Sequence, residues 1–113
     1  MPFIEVKTNA AVSAETAEQL KAGLGRAITA IPGKSEAWLM VNICGGQNMY
    51  FQGSDAPCAM VEVKLYGGAS SSAYQNMTER ATDVVSKCLN VSPNRIYVKY
   101  DEVEHWGMGG SNF

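Results

Sequence analysis

Polar and apolar residues alternate from the start of the chain, with Ile4, Val6 and Thr8 on one parity and Glu5 and Lys7 on the other. A period of two predicts a strand with one face buried. The same alternation returns at Leu39, Val41 and Ile43, at Val61, Val63 and Leu65, and at Ile96, Val98 and Tyr100. Between these runs the spacing changes. Leu20, Leu24, Ala27, Ile28 and Ile31, and then Met77, Ala81, Val84, Val85 and Cys88, follow the i, i+4, i+7, i+8 rhythm of an amphipathic helix.

One constant shift superimposes the two series. It carries Ile4, Val6 and Thr8 onto Val61, Val63 and Leu65, the first helical set onto the second, and Leu39, Val41 and Ile43 onto Ile96, Val98 and Tyr100. Each half is therefore strand, helix, strand, with pseudo-repeats at about 2–44 and 58–101 inside a single domain, 1–113. Ser13, with Glu15 in the first turn, reads as the N-cap of the first helix, and Ser72 with Gln75 as a capping box for the second. Gly33 suits the left-handed position that ends helix one; Asn90 and Pro93 close helix two. Gly45-Gly46-Gln47-Asn48 turns into a short Met49-Tyr50-Phe51 segment, and Gly53-Ser54-Asp55-Ala56-Pro57 turns again.

The fold class that follows is α+β, an α/β sandwich in which two βαβ repeats form a four-stranded mixed sheet with two helices on one face. Crossover helices bring parallel strands together, and the right-handed rule puts both helices on the same side. The other face lacks a cover, and another subunit is the simplest one.

Composition narrows the function. A chain of 113 residues can bury one core, and 46% hydrophobic against 18% charged residues leaves a surface poor in charge, which favours association with other copies. A net charge of −2 with scattered Lys and Arg argues against nucleic acid as a partner. An RNA-binding use of the doubled βαβ plan needs exposed aromatics on a basic surface, and Tyr97 and Tyr100 alone do not supply it. No apolar run is long enough to span a membrane, and the start lacks a signal-peptide pattern, so the expected location is cytoplasmic, with secretion that needs no signal peptide left open. Cys44, Cys58 and Cys88 are too few and too far apart for a disulfide scaffold. His105 is the sole histidine; Glu102 and Glu104 beside it read as a solvated loop, and no metal site is expected.

Five colinear pieces carry a resemblance: Met1-Pro2-Phe3-Ile4, Gly33-Lys34, Gly53-Ser54-x-x-Pro57-Cys58-Ala59, Val91-Ser92-Pro93-Asn94-Arg95-Ile96-Tyr97-Val98, and Gly110-Ser111-Asn112-Phe113. Together they resemble the macrophage migration inhibitory factor family of the tautomerase superfamily. The resemblance implies a homotrimer with active sites between neighbouring subunits, no cofactor, and isomerase activity on a 2-keto acid or its enol, of the phenylpyruvate tautomerase or dopachrome isomerase type.

Enolising a 2-keto acid requires a base whose pKa lies near the working pH. Small residues after Met1 usually permit its removal, which would leave Pro2 as a secondary α-amine; burial and a nearby cation would lower its pKa from about 8. Pro2 is the expected catalytic base. Lys34 just past a helix end suits the negative pole of the helix dipole; the resemblance makes it the cation that depresses the Pro2 pKa and anchors the substrate carboxylate.

The remaining substrate-binding residues implied are Tyr66, Tyr97, Lys99, Trp38, Trp106 and Phe113. Tyr97 enters from an adjacent subunit. Tyr66 stands where other members often carry Ile, and Lys99 where they often carry Asn; facing the pocket, Lys99 would add a second positive charge, and facing solvent it would add none. Met108 replaces a frequent tryptophan and softens that wall. The family's Cys-x-x-Cys is broken, since Val61 follows Cys58 at the second position. Two other functions stay open: a cytokine-like binding protein recognised by a cell-surface receptor, and a related decarboxylase or dehalogenase that uses the same proline.

Overall fold

Ile4, Val6 and Thr8 are completely buried while Lys7 is exposed, so the first alternation folds as β1 (Pro2–Thr8) with one face inward. The computed structural model describes every residue from Met1 to Phe113. After β1 come α1 (Ala14–Ala27), β2 (Met40–Cys44), β3 (Ala59–Tyr66), α2 (Ser71–Leu89), β4 (Ile96–Val103), β5 (Gly107–Met108) and β6 (Ser111–Asn112). The main sheet has the order β2-β1-β3-β4. β1 runs parallel to β2 and β3 parallel to β4, while β1 and β3 pair antiparallel with Pro2 opposite Leu65 and Thr8 opposite Ala59. It is a mixed sheet made of two βαβ units, as the repeat predicts.

Both helices pack on one face. Leu20, Leu24 and Ile28 from the first half and Met77, Ala81 and Val85 from the second share a single core with Ile4, Val6, Val61, Val63 and Leu65. Each large aliphatic group buried there contributes about 1.5–3 kcal/mol. The helices approach each other so closely at Gly23 that a Cβ there would stand 2.6 Å from Val84 Cγ1. The opposite face carries no helix.

Local details correct several expectations. α1 begins at Ser13, whose hydroxyl accepts from the Thr16 N–H, as predicted. α2 is capped by Ser70 and not by Ser72: the Ser70 hydroxyl accepts from the Ala73 N–H at 3.2 Å, and Gln75 bonds instead to Glu79. The apolar spacing locates the helix face but not its first turn, where three serines compete. Gly33 is left-handed, with φ +80°, yet it does not cap α1, which tightens into a 3₁₀ turn at Ile28–Ala30 before that point. Asn90 ends α2 in the left-handed conformation. The short Met49-Tyr50-Phe51 segment lies between its two turns as expected, and Phe51 pairs across Gln52-Gly53 with Ser54. Glu102 belongs to β4, where it accepts the Tyr74 hydroxyl proton at 2.5 Å, and Glu104 alone lies in the following loop. The tail after it folds back as the β5–β6 hairpin through Gly109 and Gly110, both at positive φ.

Candidate active site

Pro32 fixes φ and Gly33 supplies the positive φ that the third position of a type II turn needs. The turn closes with the Lys34 N–H on the Ile31 carbonyl at 3.1 Å. It delivers the half-buried Lys34 side chain to the end of β3, where Nζ donates to the Tyr66 carbonyl at 3.1 Å. The Tyr66 N–H donates in turn to the Met1 carbonyl at 3.1 Å. The lysine and the start of the chain are thus held by the two sides of one peptide residue.

The Met1 α-amine lies below its ordinary value of 8.0, first because burial disfavours its charged form and then because the Lys34 cation stands beside it. Next to it opens an apolar cavity of about 360 Å³ whose walls include Pro2, Phe3, Trp38, Met40, Trp106 and Met108. Trp38 is carried by a short 3₁₀ turn, Glu36–Trp38, ahead of β2. Trp106 and Met108 are held by the tail: the Phe113 N–H donates to the Trp106 carbonyl at 3.0 Å, and the Phe113 ring lies 6.0 Å from that of Tyr66. Pro2, Lys34, Tyr66, Trp38, Trp106 and Phe113 therefore converge on one end of the sheet. An amine pushed toward its neutral form, a neighbouring cation and apolar walls are the parts that proton transfer at a carbon acid needs.

Tyr97 and Lys99 lie elsewhere in the same chain. Tyr97 pairs across the sheet with Met60 and Lys99 with Glu62, whereas Pro2 is opposite Leu65, whose other partner is Glu102. Both side chains are exposed and point from the helix-free face. Tyr97 stands edge-on to Phe51, with ring centroids 4.9 Å apart. Lys99 Nζ is 3.3 Å from Asp101 and 3.6 Å from Glu62. Glu62 also holds Lys7 at 2.8 Å, and Lys7 reaches Glu5 at 3.3 Å. That face is a ladder of alternating charges, and within one chain Lys99 belongs to it.

Phe3 and Met40 are pocket residues that motif reading overlooks. Their signal is parity: both are large apolar groups on the outward phase of strands whose other outward positions are Glu5, Lys7 and Asn42, and they are register partners. No helix is long and apolar enough to cross a membrane. No three His, Cys, Asp or Glu side chains gather where they could hold a metal ion.

Comparison with known proteins bears on the family and the fold. The family model described as macrophage migration inhibitory factor matches residues 1–113. The chain is 33% identical to D-dopachrome decarboxylase of Gallus gallus over 96% of its own length and 92% of that protein. It is 28% identical to the macrophage migration inhibitory factor homolog of Brugia malayi, covering 100% of this chain and 99% of the relative. The crystal structure of Leishmania major MIF2 superimposes with a TM-score of 0.94 at 31% identity, covering 100% of this chain and 97% of that one.

Proposed function

Because the chain belongs to the macrophage migration inhibitory factor family, we propose that it is a cofactor-independent keto–enol tautomerase that uses Pro2, freed by loss of Met1, as its base. The observation that carries this reading is geometric: Pro2 lines an apolar cavity at the end of the sheet where Lys34 is held, and there even the Met1 α-amine lies below its ordinary pKa. A phenylpyruvate-like acid places its carboxylate on Lys34 and its side chain against Trp38, Trp106, Tyr66 and Phe113. Removing Met1 also releases the Tyr66 N–H from the Met1 carbonyl, which adds a second donor for the carboxylate.

The neutral Pro2 nitrogen takes a proton from C3 of the substrate. The electron pair left behind forms the C2–C3 double bond, the carbonyl pair moves onto the C2 oxygen, and the protonated amine delivers the proton it took to that oxygen, so the cycle closes with the amine neutral again. The reverse sequence converts enol to ketone. Burial and the Lys34 cation both disfavour the charged form of an amine at this position, which is the direction a base needs.

The pocket is open on the side that one chain leaves uncovered, and Tyr97 and Lys99 project from the helix-free face. In this reading three copies assemble so that Tyr97 and Lys99 of one subunit complete the pocket of the next. Lys99 then contributes a carboxylate contact whose charge Glu62 and Asp101 partly offset.

The test is ultraviolet detection of phenylpyruvate enol–keto conversion by the untagged chain, with Pro2→Gly as control. Turnover lost in the variant is expected. Equal turnover in both proteins overturns the assignment. A second reading, decarboxylation by the same amine, is favoured by the likeness to D-dopachrome decarboxylase. Release of CO₂ from D-dopachrome separates it from simple isomerisation.

A further inference from the structure

Arg95 forms no ion pair with any acid; its guanidinium is spent on backbone. Nε donates to the Pro57 carbonyl at 3.0 Å, and one terminal nitrogen reaches the carbonyls of Ala56 at 3.0 Å and of Phe51 and Ser54 at 3.2 Å. The same group lies 5.2 Å over the Phe51 ring. From the other side Asn9 donates to the Asp55 carbonyl at 2.9 Å and accepts the Cys58 N–H at 2.9 Å. The segment 51–57 has almost no regular structure, only the tight Phe51–Ser54 turn with Gln52 and Gly53 at positive φ, so these side chains are what define its shape. Its aromatic ring does one visible thing. Phe51 meets Tyr97 nearly perpendicularly, at 82°, and packs one edge of a tyrosine that is otherwise 57% exposed.

We propose that Arg95 is a positioning residue for substrate selection: it locks the 51–57 turn, the turn fixes Phe51, and Phe51 holds the Tyr97 ring in the orientation that favours aryl over alkyl keto acids in the neighbouring subunit's pocket. This rests on the reading in which Tyr97 enters that pocket. An arginine suits the task because its rigid fork can serve carbonyls in several directions and stack on a ring at once, which a lysine cannot reproduce. Neither Arg95 nor Phe51 needs to touch substrate.

The experiment compares wild type, Arg95→Lys and Phe51→Leu with phenylpyruvate and with 2-oxobutyrate, alongside fluorine NMR of fluorotyrosine-labelled protein assigned through Tyr97→Phe. An edge-to-face aromatic pair corresponds to about a two- to tenfold change in affinity. Both variants are expected to raise KM for phenylpyruvate by that factor, to leave KM for 2-oxobutyrate and the pH profile in place, and to shift the Tyr97 resonance. Phe51→Leu leaves the arginine's carbonyl bonds intact and keeps the test valid if Arg95→Lys folds poorly. Turnover with unchanged aryl preference in both variants overturns the inference and leaves the tautomerase reading standing. An unmoved Tyr97 resonance also overturns it, whatever the activity. Wild-type protein inactive on both acids removes the tautomerase reading, and the substrate role of the clamp with it.

Discussion

Lys34 Nζ stands 3.1 Å from the Tyr66 carbonyl oxygen, so the cation nearest the chain's α-amine is held by backbone and not by an acid. Its charge is left free to act on the amine and on an incoming anion. A carboxylate partner in place of that carbonyl would cancel both effects.

The proposed reaction requires a neutral amine, and at this end of the folded chain the Met1 α-amine is lowered from 8.0, by burial first and Lys34 second. With Met1 removed, the Pro2 amine should meet the same burial and the same cation, so activity should rise with pH through a value below 8.0. Lys34→Met removes the second cause of the shift while burial remains, so the rising limb should move toward 8.0. KM for phenylpyruvate should increase by roughly 10- to 100-fold, the equivalent of a hydrogen bond to a charged group. A pH–rate profile that stays in place in the variant would show that Lys34 does not act on the base.

Pro2→Gly keeps an α-amine but loses the secondary one held in the strand. We expect kcat/KM to fall by about 10²- to 10⁴-fold, the usual span of general-base catalysis, with folding unchanged. Intact-mass measurement of the active protein should show Met1 absent. Full activity in protein that retains Met1 is the contrary result.

Sedimentation should give three times 12.2 kDa. Lys99→Asn should preserve that mass and raise KM for phenylpyruvate. Because Glu62 and Asp101 offset its charge, the variant should move the pH profile less than Lys34→Met does. An unchanged KM would confine Lys99 to the charged face.

On that face Glu62 is held below the ordinary carboxylate value of 4.5, chiefly by its hydrogen bond from Lys7. A lowered acid stabilises the fold fully above its unfolded pKa, and the contribution disappears as pH falls through the folded value. Thermal melts of Glu62→Gln should converge with wild type in acid and lie lower near neutrality, by about 1 kcal/mol for a pair whose lysine is solvent-exposed. Identical melts at every pH would mean that the ladder adds nothing.

Ser70→Ala should cost about 1 kcal/mol of stability, whereas Ser72→Ala should be nearly neutral, since only Ser70 bonds the first turn of α2. Urea midpoints of the two variants decide between them.

The strands, the helices and their common face could be read from the sequence because burial imposes a period on it. Ile4, Val6, Val61 and Val63 have no other way to reach the core. What escaped are features set by local competition or by distant contact. Ser70 and Ser72 have the same chemistry, and only the helix geometry chooses between them. Gly33 serves the Ile31–Lys34 turn beyond the end of the helix, because Pro32 precedes it. Phe3 and Met40 join the pocket across strands, and Glu102 finds Tyr74 from a helix far away in sequence. Pro2 and Lys34 were recognisable through a family likeness, since nothing in their spacing brings them together.

The strand register also governs how the chain can fold. Phe3 to Met40 and Ala59 to Ile96 span equal lengths of chain, so the two halves close parallel pairs with similar loop entropy. The antiparallel seam between β1 and β3 joins partners still farther apart, from Thr8 with Ala59 to Pro2 with Leu65. The seam should therefore form late, after either half has begun to condense. Truncating Val6 or Val63 should then accelerate unfolding more than it slows refolding, and Val85→Ala in α2 should do the reverse. The strand that carries the base is on this view among the last to settle, so the pocket takes shape only when the two repeats lock together.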